Sequence, residues 1–297
     1  MRVFVTGASG WIGSATVDEL LSAGHDVLGL ARSEASAARL AAKGASVLHG
    51  DLDDLDALRK GAVDSEGVIH LANKHDWSNP ANSNAAERAA VETIADALVD
   101  TGRPLVLASG IAGLVQGRPS TEEDPSPFHG PDAPRGGSEN LALSYADRGV
   151  RVISARFAPT VHGDRDHGFI AYIVGVAREK GVSAYIGDGE HRWAAVHRSD
   201  AARLVRLGLE RAPSSSRLHA VAEQGVSTKA IAEAIGRGLR LPVTSVAPGD
   251  AQAHFGFLGT FFGTDLAASS EGTRELLGWE PTGPTLIEDI DGGAYFH

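Results

Sequence analysis

Short apolar runs recur along the chain, each followed by a stretch with helical spacing. Val3 to Val5, Val27 to Leu30, Val47-Leu48, Val68 to Leu71, Leu105 to Leu107 and Val150 to Ser154 read as strands. Trp11 to Ala23, Glu34 to Lys43, Asn84 to Asp100 and Gly136 to Asp147 read as helices. Gly24, Gly44, Gly102 and Gly149 stand just past their ends, where a residue without Cβ closes the last turn in the left-handed conformation. Strands alternating with helices predict an α/β fold around a doubly wound parallel sheet. From Gly113 to Arg135 the chain is rich in Pro, Gly and acids and has no period, which reads as a flexible flap over the sheet. After Ala155 the pattern loosens into glycine-rich loops, with helices expected from Ile170 to Glu179 and Ser199 to Leu209, and a strand-helix-strand stretch from Leu218 to Val246.

The first strand runs into Thr6-Gly7-Ala8-Ser9-Gly10-Trp11-Ile12-Gly13, a glycine turn followed by a helix start. That is the order a dinucleotide pyrophosphate requires. Gly7 permits the tight turn, Gly10 lets backbone approach phosphate, and Gly13 lets the helix pack on the strand, while the first helical N–H groups and the dipole favour an anion. Thr6, Gly7, Ser9, Gly10, Trp11, Ile12 and Gly13 are therefore candidate cofactor contacts. At the end of the second strand, beside the adenosine ribose, a carboxylate would bind a 2′-hydroxyl. Here Arg32 and Ser33 follow Ala31 instead, a guanidinium and a hydroxyl suited to a 2′-phosphate, so the expected cofactor is NADP(H). Residues 1–160 are expected to form the NADP-binding core, and residues 161–297 mainly a smaller C-terminal substrate lobe with some segments returning to the core.

The Thr-Gly-x-x-Gly-x-x-Gly turn, Gly50-Asp51-Leu52 and Ile69-His70-Leu71-Ala72-Asn73 together resemble the extended short-chain dehydrogenase/reductases, the NAD-dependent epimerase/dehydratase type with a Rossmann sheet. Arg156-Phe157-Ala158-Pro159-Thr160-Val161-His162-Gly163 is similar to that family's Arg-Pro-x-x-Val-Tyr-Gly segment. Val196-His197-Arg198-Ser199-Asp200-Ala201-Ala202 is similar to its Val-His-Val-x-Asp-x-Ala segment, and Leu277-Gly278-Trp279 to its C-terminal signature. The resemblance spans nearly the whole chain. It implies Asp51 near the adenine amino group, Leu52 on the ring, Leu71, Ala72 and Asn73 along the cofactor, and Pro159-Thr160 near the nicotinamide.

The family's Tyr-x-x-x-Lys pair is missing, since no tyrosine here is followed by Lys at that spacing. The family's chemistry needs the phenol to exchange a proton with the substrate oxygen, and the Lys to lower the phenol's pKa and bind the nicotinamide ribose. Aligned on the Ser before the Lys, Arg135 takes the Tyr position and Glu139 the Lys position. Two readings are open: a salt bridge between them across one helix face, or an Arg135 that contacts the nicotinamide ribose or substrate electrostatically. A guanidinium holds its proton near neutral pH. Ala108 and Ser109 at the end of the fifth strand are expected beside the nicotinamide, although one alignment puts Gly110 at the place of the family's hydroxyl. A proton donor, if used, is expected to be a histidine, with His162 in the family's Tyr-Gly segment the first candidate. Catalytic candidates are thus His162, Ser109 and Arg135, and substrate contacts are expected from Lys74, His75, Gly110, Ile111, His162, His167, Phe169, His191 and Trp193. His254 to Leu258 with Phe261-Phe262 reads either as an apolar lid or as ordinary lobe core.

Composition narrows the partners. With 27 Lys and Arg against 38 Asp and Glu the net charge is −11, which disfavours nucleic acid and anionic lipid surfaces. No cysteine is present to make a disulfide or a thiolate metal site, and no His-Glu-x-x-His spacing occurs, so no metal is expected. Met1-Arg2 leads directly into the first strand without an apolar leader, and a cytoplasmic protein is expected. A small-molecule substrate follows, with a homodimer left open. The activity expected is an NADPH-dependent oxidoreductase reducing a small carbonyl, imine or activated alkene with a non-standard proton donor. The alternative is a non-catalytic NADP(H)-binding sensor or interaction module, and an epimerase or dehydratase holding NAD fits poorly with Arg32.

Overall fold

In the computed structural model, which describes residues 1–76 and 79–297, the expected strand-helix alternation is present. The strands are β1 (Arg2–Thr6), β2 (Asp26–Ala31), β3 (Ser46–His49), β4 (Gly67–His70), β5 (Pro104–Gly110), β6 (Arg151–Phe157), β7 (Thr160–His162), β8 (Ser183–Ile186), β9 (Arg192–His197), β10 (Ser216–Ala220), β11 (Glu223–Ser227) and β12 (Val243–Val246). Seven of them form one parallel sheet in the order β10-β6-β5-β4-β1-β2-β3. The chain winds outward from β1 through β2 to β3, then restarts on the other side at β4. The crevice at the C-terminal ends of β1 and β4 is therefore the topological switch point, where a doubly wound sheet binds its ligand.

The helices are α1 (Trp11–Ser22), α2 (Glu34–Ala42), α3 (Leu55–Val63), α4 (Pro80–Asp96), α5 (Ser138–Ser144), α6 (Phe169–Lys180), α7 (Arg198–Arg211), α8 (Thr228–Leu239), α9 (Ala251–Phe255), α10 (Leu258–Phe262), α11 (Glu271–Leu277) and α12 (Leu286–Asp291). One face of the sheet buries Val17, Leu20, Leu40 and Leu204 from α1, α2 and α7, and the other buries Leu58, Val91, Ile94 and Ala142 from α3, α4 and α5. A third apolar cluster, built on Ile170, Trp193, Ile231, Phe255, Phe262 and Ile290, forms the core of the lobe. Beyond residue 160, α7 and β10 belong to the main layer, so the chain returns to the sheet after starting the lobe. Among the described residues no helix is long and apolar enough to cross a membrane.

The four cap glycines have positive φ, with Gly24 at 82°, Gly44 at 93°, Gly102 at 67° and Gly149 at 74°. Helix α4 starts four residues earlier than expected, because Asn79 caps it by accepting from Asn82 N and Pro80 fills the first position. Helix α5 begins later than expected. Arg135, Gly136 and Gly137 are all left-handed, with φ of 55°, 61° and 64°, and replace what would have been its first turn.

The stretch from Gly113 to Arg135 is irregular, yet it is tied down along its length rather than forming a free flap. Arg118 forks onto Asp124 at 2.5 and 2.9 Å, and Ser120 bridges to Ala268. Glu122 accepts from both the amide and hydroxyl of Thr273, and Asn140 donates to the carbonyls of Ser126 and Phe128. The proposed apolar lid is mostly core: Phe255, Leu258 and Phe262 are buried, whereas Phe257 is exposed against Tyr172.

Candidate active site

The glycine turn after β1 has no room for side chains. A Cβ on Gly7 would lie 2.8 Å from Ala72 N, and one on Gly13 would overlap the Gly7 carbonyl oxygen, while Gly7 itself has φ +65°. Gly10 caps α1 with no side chain, which leaves the amides of Trp11, Ile12 and Gly13 without acceptors in the helix. This is an anion cradle that an added Cβ would fill, so the residues present fit a dinucleotide pyrophosphate. Thr6 departs from its expected role: it is buried, and its hydroxyl accepts from Ala72 N and meets His70 Nδ1 at 2.9 Å, joining β1 to β4 beneath the cradle. Trp11, the first helical residue, turns away toward β7 and the start of α7. Its indole N–H donates to Val161 O, its ring lies 4.3 Å from the Arg198 guanidinium, and His167 meets it edge-on.

Beyond the end of β2, Arg32 is exposed and makes no ion pair among the described residues, and Ser33 caps α2 in a mutual pair with Ser36. Asp51 turns its carboxylate onto the amides of Asp53 and Asp54, and Leu52 is buried among the core side chains beneath the cradle. Lys74 meets Asp53 at 2.8 Å.

Arg135 and Glu139 each sit in a charged pair of their own, so of the two readings left open the Arg135–Glu139 bridge is not formed. Arg135 donates to Glu87 Oε1 at 2.6 Å, with its backbone N–H on Asn84 Oδ1. Glu87 is itself enclosed in α4 and also accepts from Asn73 Nδ2 at 3.1 Å. Burial would raise the Glu87 carboxyl, and Arg135, His70 and the Asn73 amide together more than offset it, so the group lies below the ordinary range. His70, 3.9 Å away, is held below the ordinary imidazole range by burial and is neutral. Glu139 pairs elsewhere. Its Oε1 accepts from Arg156 Nη2 at 2.6 Å and Nε at 3.0 Å, and its Oε2 accepts from the Ser109 hydroxyl at 2.6 Å. Arg156 is wholly buried, with Nη1 on Asp124 O at 2.8 Å.

Three further candidates are moved away from the cleft. His162 is 0 % exposed: β7 turns its ring toward α12, where Nδ1 meets Asp289 Oδ2 at 2.6 Å. A ring so enclosed does not meet a substrate, so direct proton donation by His162 does not fit this arrangement. Thr160 is buried with its hydroxyl on Ala194 O, which leaves Pro159 as the half-exposed member of that pair. Trp193 is 0 % exposed in the lobe core, against Phe169 and Phe262. Lys74, Ser109, Gly110, Arg135, Phe169 and His191 are half-exposed, His75 and His167 are exposed, and Ile111 is buried at the end of β5. Among the described residues no group of three or more His, Cys, Asp or Glu side chains is arranged to hold a metal.

The arrangement thus offers a turn of free helix amides at the switch point and one ion-paired carboxylate, Glu139, bonded to Ser109. A profile of the NAD dependent epimerase/dehydratase family matches residues 3–220. The chain belongs to that family. Within it, an uncharacterised protein of Schizosaccharomyces pombe is 46% identical over 297 residues, covering 100% of both chains. A ketoreductase of Stigmatella aurantiaca, named for a farnesyl-dihydroquinoline oxide, is 28% identical over 72% of this chain and 66% of its own length. The fold is similar to that of a dTDP-glucose 4,6-dehydratase of Streptomyces venezuelae, solved with NAD bound, at a TM-score of 0.79 and 21% identity over 99% of this chain and 96% of that one.

Proposed function

We propose that this protein is an NADP(H)-dependent oxidoreductase acting on a small carbonyl, imine or activated alkene. The observation that carries the reading is the side-chain-free cradle at the switch point, with Arg32 unpaired at the neighbouring strand end. Gly7, Ser9 and Gly10 with the first amides of α1 would hold the pyrophosphate, and Arg32 with Ser33 the 2′-phosphate. Asp51 and Leu52 would meet the adenine. Leu71, Ala72, Asn73, Ala108, Ser109 and Pro159 would line the remainder, with Arg135 setting the charge at the rim. When bound, the cofactor supplies a hydride. Lys74, His75, Gly110, Ile111, His167, Phe169 and His191 would supply the contacts of a small substrate. The ketoreductase relative supports carbonyl-type chemistry.

A second reading, a binding-only sensor, draws support from the replacement of Tyr and Lys by locked ion pairs. The test separates them. Calorimetric titration with NADPH and NADH is repeated on Arg32→Ala, and NADPH absorbance is then followed across carbonyls, imines and activated alkenes. Preference for NADPH and its oxidation by one class supports the enzyme, whereas binding without oxidation by any class favours the sensor.

A further inference from the structure

Resting on the oxidoreductase reading, we propose that the reacting group is a protonated carbon–nitrogen double bond, and that Ser109 receives its N–H as a hydrogen-bond acceptor. The hydroxyl is the starting point. Ser109 Oγ lies 2.6 Å from Glu139 Oε2, and Glu139 is fixed by two bonds from Arg156 to its other oxygen. A carboxylate accepts and does not donate, so the Ser109 proton points at Glu139. Ser109 is half-exposed at the end of β5, and what it has left to offer a ligand is its lone pairs. An oxygen of that polarity pairs with a substrate N–H or O–H and not with a ketone oxygen, which would meet lone pair with lone pair.

The other groups at the reacting end point the same way. Arg135 holds its proton, its guanidinium is on Glu87, and the His162 ring is enclosed against Asp289. A ketone would need a proton on oxygen as hydride arrives on carbon. A protonated imine needs none: the hydride with its electron pair forms the new C–H bond, the C=N π pair becomes the nitrogen lone pair, and the product is a neutral amine. Charge and protons balance with no acid from the protein. Glu139 is then a positioning residue that aims the Ser109 hydroxyl, and Ser109 is the group that touches substrate.

The experiment uses the whole protein with NADPH. A methyl-pyrroline and a dihydroisoquinoline, which differ in basicity, are assayed beside ketones of the same ring size. The expected result is a kcat/KM at least about tenfold higher for the imines, with a rise toward low pH that inflects at each imine's own pKa. Ser109→Ala should lower imine kcat/KM about tenfold, mainly through KM, and Ser109→Thr, which keeps the hydroxyl, should restore it. Glu139→Gln should do as Ser109→Ala does; if it fails to fold for want of a counter-charge to Arg156, the two Ser109 variants carry the test. In the cofactor-free protein, a slowly exchanging hydroxyl proton should appear by NMR and vanish in Ser109→Ala. Ketones reduced as well as imines, a common inflection for both imines, or no imine consumed by protein that binds NADPH would each overturn the proposal while leaving the cofactor reading intact. Failure to bind NADPH would overturn both.

Discussion

Gly10 and Gly13 lie three residues apart in the same turn, and the structure separates what each contributes. Gly13 faces inward, where an added Cβ would overlap the Gly7 carbonyl oxygen and sit 2.8 Å from Gly7 C and 3.1 Å from Ala8 Cα. All three contacts are backbone, so α1 must move off β1. Overpacking of this kind costs about 1–3 kcal/mol, and at about 2–4 °C per kcal/mol Gly13→Ala should lower Tm by about 2–12 °C. Gly10 is exposed at φ −77° and ψ −177°, ordinary extended backbone, and its Cβ would meet only the Gly7 oxygen at 3.1 Å. Gly10→Val should therefore cost the fold no more than about 1 kcal/mol while projecting two methyls into the cradle. NADPH affinity should fall at least about a hundredfold, or about 2.8 kcal/mol. Thermal melts by circular dichroism and calorimetric titration of both variants decide it. If Gly10→Val binds NADPH like the parent, the turn is not the pyrophosphate site.

Arg32→Ala should reduce an NADPH preference of about tenfold or more to near parity, read by paired titrations with NADPH and NADH. Arg135→Ala should destabilise by about 1–3 kcal/mol, since it leaves Glu87 buried without its cation although Arg135 is 35% exposed, and Arg135→Gly should recover about 1 kcal/mol of that by relieving the left-handed φ of 55°. Stability should decline as pH falls: His70 is lowered, so unfolding takes up a proton below about pH 6.5, and Glu87 is lowered, so its contribution is present above about pH 4.3 and lost below as it protonates. Denaturant melts between pH 7 and 4 check this, and Glu87→Gln should flatten the acid end. His162→Phe should cost about 1–3 kcal/mol through loss of the Asp289 bond and leave NADPH affinity unchanged, which titration and melting measure together.

The sheet was legible because most of its strands are short apolar runs and several of the helices between them are followed by a left-handed glycine; the Gly7 turn declared the first βα unit. Helix α3 was passed over because its buried positions, Ala57, Leu58, Gly61 and Ala62, keep helical spacing but are mostly small, so they show little as an apolar run. Glu87 was missed although a signal existed, since it shares a helix face with Ser83, Ala90, Val91 and Ile94, all buried. A carboxylate on an apolar stripe implies a buried partner. Arg156 likewise alternates with the buried Val152 and Ser154 along β6. The enclosure of His162 and Trp193 was not readable, because it depends on α12 and on the packing of Phe262, which reach those side chains from distant parts of the chain.

Trp11 gives the cradle a second allegiance. The residue that opens α1 is bonded to Val161, stacked under Arg198 and met by His167, so the free amides of the turn are held in register by β7, the start of α7 and the loop before α6 as well as by β1. Segments joined through one side chain at such a turn share their free energy. A ligand that tightened the turn would raise the work needed to pull those segments away, and whatever loosened them would be felt as weaker binding by the same amount.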